Sequence, residues 1–142
     1  MAYQILDFNG KVNFYLSHLS KGKFFIEFDE ELREKVVHNG QEISYISLSG
    51  GEKRKVGIAV MLGLQQLLTI SHNDNSNLMF FDEVAENLDQ DGLDGLYILL
   101  SELKKEKSLF VITHNNYLKS LMDTTKTLTI IKNKGISRVT GK

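Results

Sequence analysis

Cysteine and proline are both absent from the 142 residues. Without cysteine there is no disulfide and no thiolate metal site, which suits a cytosolic protein. Charge of one sign is missing too: 17 Lys and Arg against 18 Asp and Glu give a formal net charge of -1. An overall basic surface for nucleic acid and an acidic tail are therefore excluded. The N-terminus lacks the charged-then-apolar pattern of a signal peptide. The longest strongly apolar segment, Val56 to Ile70, is too short to span a bilayer and contains two glutamines. What remains is a chain of one domain, or a large piece of one, long enough to bury a core.

Helices and strands alternate along it. Ile5, Phe8, Val12, Tyr15, Leu16 and Leu19 recur at three- and four-residue steps and predict a helix over 5–19. KFFIEF, Lys23 to Phe28, predicts a strand. Strand character is also expected around Val36–Val37 and Ile43–Ile46, with Asn39–Gly40 as a turn. Val56, Ala59, Val60, Gly63, Leu64, Leu67 and Leu68 form one stripe of a helix over 52–68, and Ile58 and Leu62 imply that it is mostly buried. SHNDNSN, Ser71 to Asn77, predicts a solvated loop. Leu78–Phe81 and Ser108–Thr113 are short apolar runs without alternation, as expected of strands covered on both faces. Between them, Leu93, Leu96, Tyr97, Leu100 and Leu103 mark a helix. TLTIIKNKGISRV predicts a closing hairpin that turns near Asn133–Lys134–Gly135. Strand, helix, strand at this spacing implies a right-handed crossover and a parallel sheet, hence an α/β fold. Ligands of such sheets bind beyond the carboxyl ends of the strands, where Asp82, Glu83 and His114 stand.

The stretch SLSGGEKRK poses a separate question. Ser49 and Glu52 have the S-x-x-E spacing of a capping box. That leaves Gly50 and Gly51 unexplained, since each glycine costs a helix roughly 1 kcal/mol against alanine. A helix start stripped of side chains lets an anion approach bare N–H groups at the positive end of the dipole. Lys53, Arg54 and Lys55 then sit where the dipole disfavours cations. They are either a solvated face or are offset by an anionic partner, phosphate or carboxylate. Asp82–Glu83 is similarly two-sided: a turn that caps the next helix, or a carboxylate for a hard cation beside one that polarises water. A lone histidine after a strand is more often merely hydrogen-bonded.

Taken together, these segments resemble an ABC-type ATPase. LSGGE, Leu48 to Glu52, looks like the signature motif, and LMFFDE, Leu78 to Glu83, like Walker B with its following glutamate. ENLD, Glu86 to Asp89, looks like the D-loop, and VITH, ending in His114, like the switch-histidine loop. The order and the Glu83-to-His114 separation fit the family, although Val84 stands where many members have proline. LSGGE followed by Lys resembles the SMC and SbcC-type ATPases of chromosome and DNA-break work, and among these a bacteriophage recombination-nuclease subunit. No G-x-x-x-x-G-K-[ST] occurs in the sequence. The family carries that phosphate-cradling loop in the N-terminal half of the head, before a coiled coil. The expectation is therefore that residues 1–142 are the C-terminal lobe of a split head, that 1–20 is a helix from the coiled-coil base, that 46–114 hold the motifs, and that the N-terminal P-loop lobe and coiled coil are absent here.

The resemblance implies that two heads sandwich ATP and Mg²⁺. Ser49, Gly50, Gly51 and Glu52 would meet the nucleotide of the opposite head. Asp82 would support Mg²⁺, Glu83 would activate water, His114 would sense the γ-phosphate, and Asp89 would link the two sites. Lys53, Arg54 and Lys55 would couple the signature helix to the coil base or to DNA. Implied partners are the N-terminal lobe, a second head, a nuclease subunit and DNA, with no membrane, in a bacterial or phage-infected cytosol. Two alternatives stay open: a transporter-type ABC fragment, and a non-catalytic module that docks on an ATPase and regulates it.

Overall fold

The apolar stripe of the first segment winds into α1, Ala2–Ser20, with Phe8, Val12, Tyr15, Leu16 and Leu19 buried. The helix ends where Lys21 and Gly22 turn left-handed (φ 54° and 70°) and the Gly22 N–H donates to the Ser17 carbonyl at 3.1 Å. This computed structural model describes residues 2–72, 77–122 and 127–141. The chain continues into an antiparallel sheet of β1 (Phe24–Phe28), β2 (Glu34–His38) and β3 (Gln41–Ile43), in register Ile26↔Val36↔Ile43. Asn39 and Gly40, at φ 51° and 76°, make the expected two-residue turn between β2 and β3.

The outer edge of β1 is not left bare. The Asn13 side chain donates to the Ile26 carbonyl at 2.7 Å and accepts from the Ile26 N–H at 3.0 Å. One helical turn earlier, Asn9 does the same for Phe28, at 2.9 Å in both directions. Two amides on α1 thus stand in for a neighbouring strand and satisfy an edge that would otherwise be open to pairing.

Strand character was expected up to Ile46, but β3 stops at Ile43. Ser44 accepts from the Ile46 N–H with its hydroxyl, and Ser47 donates to the Ser44 carbonyl, so residues Tyr45–Ser47 form a 3₁₀ turn. A serine that offers the backbone a local partner competes with the ladder.

The remaining elements are α2 (Gly50–His72), β4 (Leu78–Asp82), α3 (Gln90–Leu103), β5 (Ser108–Ile112), α4 (Asn116–Leu121), β6 (Leu128–Asn133) and β7 (Ile136–Gly141). Helix α2 runs two residues into the segment expected to be loop; positions 73–76 of that segment lie outside the described residues. Helix α1 packs on both α2 and α3, and their buried side chains make one core with Phe24, Ile26 and Phe81. Each such side chain contributes about 1.5–3 kcal/mol when fully buried. Strands β4 and β5 are parallel, in register Asp82↔Ile112, with α3 as the crossover.

Two burial expectations are corrected. Only one face of β4–β5 is covered: Met79 and Phe81 are buried, whereas Phe80 is 65% exposed and stacks on exposed Phe110 at 5.1 Å between ring centroids. The second face has no partner among the described residues. Helix α2 is buried through Val56, Ile58, Ala59 and Leu62, but Met61, Leu64 and Leu68 face outward. The closing hairpin β6–β7 forms as expected, with Lys134 and Gly135 at φ 47° and 80° in the turn. Leu128, Ile130, Ile136 and Val139 on it are exposed.

Candidate functional site

Parallel pairing brings the carboxyl ends of β4 and β5 side by side, and the residues that follow form one edge. The Glu83 N–H donates to the Ile112 carbonyl at 2.9 Å, extending the ladder one step beyond Asp82. Glu83 itself is left-handed at φ 48°, which turns the chain off the sheet. Buried Val84 and Ala85 anchor the loop that follows. Glu83 Oε2 lies 2.9 Å from His114 Nδ1, off the line of a hydrogen bond, and has no other partner among the described residues. The His114 side chain is 75% exposed. Asn115, next along, caps α4 by accepting from the Leu118 N–H at 2.9 Å. These residues line a cleft of about 320 Å³ with Glu86 and Asn87. Asp82, Glu83 and His114 therefore meet at one edge, as their positions in the sequence require.

Asp82 is exposed, and no ion pair among the described residues engages it. No group of three or more His, Asp or Glu among those residues could hold a metal by itself. A single free carboxylate fits Mg²⁺, which keeps several waters and takes other ligands from substrate phosphates.

The start of α2 is a capping box with both halves made. Glu52 N–H donates to Ser49 Oγ at 3.3 Å, and the Glu52 carboxylate accepts from the Ser49 N–H and hydroxyl, each at 2.8 Å. The Ser49 backbone N–H, then its hydroxyl, hold the Glu52 carboxyl below its ordinary range. The two glycines differ. A β-carbon on Gly50 would meet nothing within 4 Å, so no contact in the chain requires glycine there. A β-carbon on Gly51 would stand 3.1 Å from the Asn87 carbonyl oxygen, so Gly51 also lets α2 close onto the 83–88 loop.

The three cations are not a solvated face, because each finds an acceptor within the chain. Lys53 Nζ donates to the Ile46 carbonyl at 2.9 Å. Arg54 donates to the Glu83 carbonyl at 2.9 Å. Lys55 is only 3% exposed and pairs with Asp89 at 2.8 Å. A carboxylate of the same chain thus offsets the charge of Lys55. Asp89 also caps α3, accepting from the Gly92 N–H at 2.9 Å. Lys55 first, and the Gly92 N–H after it, hold the Asp89 carboxyl below its ordinary range. Arg54, Lys55 and Asn87 are the residues that motif spacing did not single out in these roles. The available signal was three cations in a helical first turn, which demands nearby acceptors.

Comparison with known proteins bears on this geometry. The "Probable exonuclease subunit 2" of Escherichia phage T5 is 34% identical over 114 residues, covering 78% of this chain and 19% of the phage protein. The chain thus spans about a fifth of that relative's length. A solved structure from work on ATP-driven dimerization and DNA-stimulated activation of SMC ATPases aligns with 99% of this chain and 86% of its own, at a TM-score of 0.81 and 19% identity. The SMC head domain from Thermotoga maritima aligns with 94% of this chain and 46% of its own, at a TM-score of 0.68 and 27% identity. No family model matches the sequence.

Proposed function

We infer, from a chain that is the C-terminal lobe of an SMC/SbcC-type ATPase head, a protein that hydrolyses ATP between two paired heads and drives a nuclease subunit on DNA. The observation that carries the reading is the Glu83–His114 pair at the ends of adjacent parallel strands, 2.9 Å apart, with Asp82 one residue before it. That edge is where this class of sheet works on its ligand. The similarity to a phage exonuclease subunit supports the nuclease partner and the DNA substrate. It also favours action in a bacterial or phage-infected cytosol.

In this reading Glu83 takes a proton from the attacking water. Its Oε2 is buried and makes no hydrogen bond among the described residues. His114 holds the carboxylate from one side and reaches the γ-phosphate from its exposed position. Asp82 holds Mg²⁺, which when bound supplies positive charge against the phosphate oxygens. Ser49 and Gly50, on the exposed start of α2, meet ATP held by the opposite head at the positive end of the helix dipole. The uncovered face of β4–β5, with Phe80 and Phe110, receives the N-terminal lobe that brings the P-loop. The helix α1 leads to the coiled coil.

The test joins this lobe to its P-loop lobe and measures ATP binding and turnover. Glu83→Gln keeps the shape and loses the base. Turnover should fall by about 10²- to 10⁴-fold with nucleotide affinity unchanged. Near-normal hydrolysis by this variant would move the catalytic role away from Glu83.

A further inference from the structure

The start of α2 and the loop after β4 are fastened at three points. Arg54 donates to the Glu83 carbonyl, Lys55 pairs with Asp89, and Gly51 packs against the Asn87 carbonyl. The first of these holds a strained residue. Glu83 is a non-glycine at φ 48°, a conformation that costs about 1–2 kcal/mol and persists only where the surroundings hold it. Its N–H is tied to Ile112, and its carbonyl accepts from Arg54 at 2.9 Å and from the Glu86 N–H at 3.2 Å. Arg54 is the only one of these ties that comes from α2. It is half-buried, and its Nε is buried without a hydrogen-bond partner among the described residues. An arginine held there at the cost of an unpaired nitrogen is spent on the Glu83 carbonyl. If that bond is lost, the Glu83 backbone is free to relax and carry the carboxylate away from His114.

We propose that Arg54 is a positioning residue for Glu83: its bond to the Glu83 carbonyl keeps that backbone turned so that the carboxylate stays beside His114. This rests on the functional reading above.

The experiment measures steady-state ATP hydrolysis against ATP concentration in the two-lobed protein, with Arg54→Met and Arg54→Lys. Arg54→Met should lower kcat by between about 10- and 100-fold, as a misplaced catalytic group does. KM should stay within about threefold, because Arg54 is engaged by the Glu83 carbonyl. Arg54→Lys keeps one donor and should recover part of kcat. If the methionine variant does not fold, Arg54→Gln is read in the same way. An unchanged kcat in Arg54→Met, or a fall matched by a proportional rise in KM, overturns the positioning role. No turnover at all by the unsubstituted two-lobed protein refutes the functional reading instead, and is told apart by that control.

Discussion

Gly57 and Gly95 invite the same substitution with opposite outcomes. In an exposed helix interior alanine is better than glycine by about 0.8–1.0 kcal/mol. Gly57 lies on an exposed position of α2, and a β-carbon there meets nothing within 4 Å. Gly57→Ala should therefore gain most of that. Gly95 is buried where α3 crosses the end of α1. A β-carbon there runs into the His18 carbonyl oxygen and stands 2.9 Å from both the His18 carbonyl carbon and the Leu19 Cα. These are backbone atoms, so no side chain can swing aside and the helices must part. Overpacking of this kind costs about 1–3 kcal/mol, occasionally more. Three backbone atoms this close put the cost in the upper half of that range, about 2–3 kcal/mol, so less the helix gain Gly95→Ala should lose roughly 1–2 kcal/mol. At about 2–4 °C per kcal/mol for a chain near this size, Tm should rise by about 2–4 °C for Gly57→Ala and fall by about 2–8 °C for Gly95→Ala. Thermal melts followed by circular dichroism at 222 nm read both. A Gly95→Ala protein that melts at or above the unsubstituted one would refute the close α1–α3 crossing.

Ser49→Arg should leave nucleotide affinity of a single two-lobed head intact and abolish ATP-driven pairing of two heads, read by light scattering; the lost cap costs only about 1 kcal/mol. A collapse of affinity in the single head would show that Ser49 acts on its own ATP. His114→Ala removes a largely exposed side chain, so stability should change by no more than about 0.5 kcal/mol while hydrolysis slows; unfolding would make His114 structural. Asp89→Asn keeps a good N-cap but removes the charge facing buried Lys55. Because Lys55 depresses the Asp89 carboxyl in the folded chain, the stability it supplies is complete above the unfolded value and is lost as pH falls through the folded one. The deficit of Asp89→Asn in urea unfolding should thus be full at pH 7 and shrink below about pH 4; a deficit independent of pH would exclude the ion pair as its source.

The parts of the fold legible in the sequence are those set by local chemistry. The Ser49–Glu52 box, the Asn39–Gly40 turn and the placement of Asp82, Glu83 and His114 at strand exits each need only neighbouring residues or a period. One-sided burial of β4–β5 was not legible, because LMFF and LFVI read alike whether the second cover lies within the chain or outside it. Ile43–Ile46 misled because apolar alternation continues while Ser44 diverts the backbone. Lys55 was hidden for a different reason: its partner lies 34 positions on, at Asp89, and only the packing of α2 against the loop brings the two together.

The paired amides of Asn9 and Asn13 set a mechanical property of α1. Four helical residues advance about 6.0 Å and two strand residues about 6.6 Å, so the two pitches match for one step and drift apart after it. Helix and strand are therefore geared at a single tooth. A pull or twist on α1 cannot slide it by a fraction, since intermediate positions forfeit four hydrogen bonds together. Force arriving along this helix is either held or released in a click, and anything downstream of it receives a step rather than a ramp.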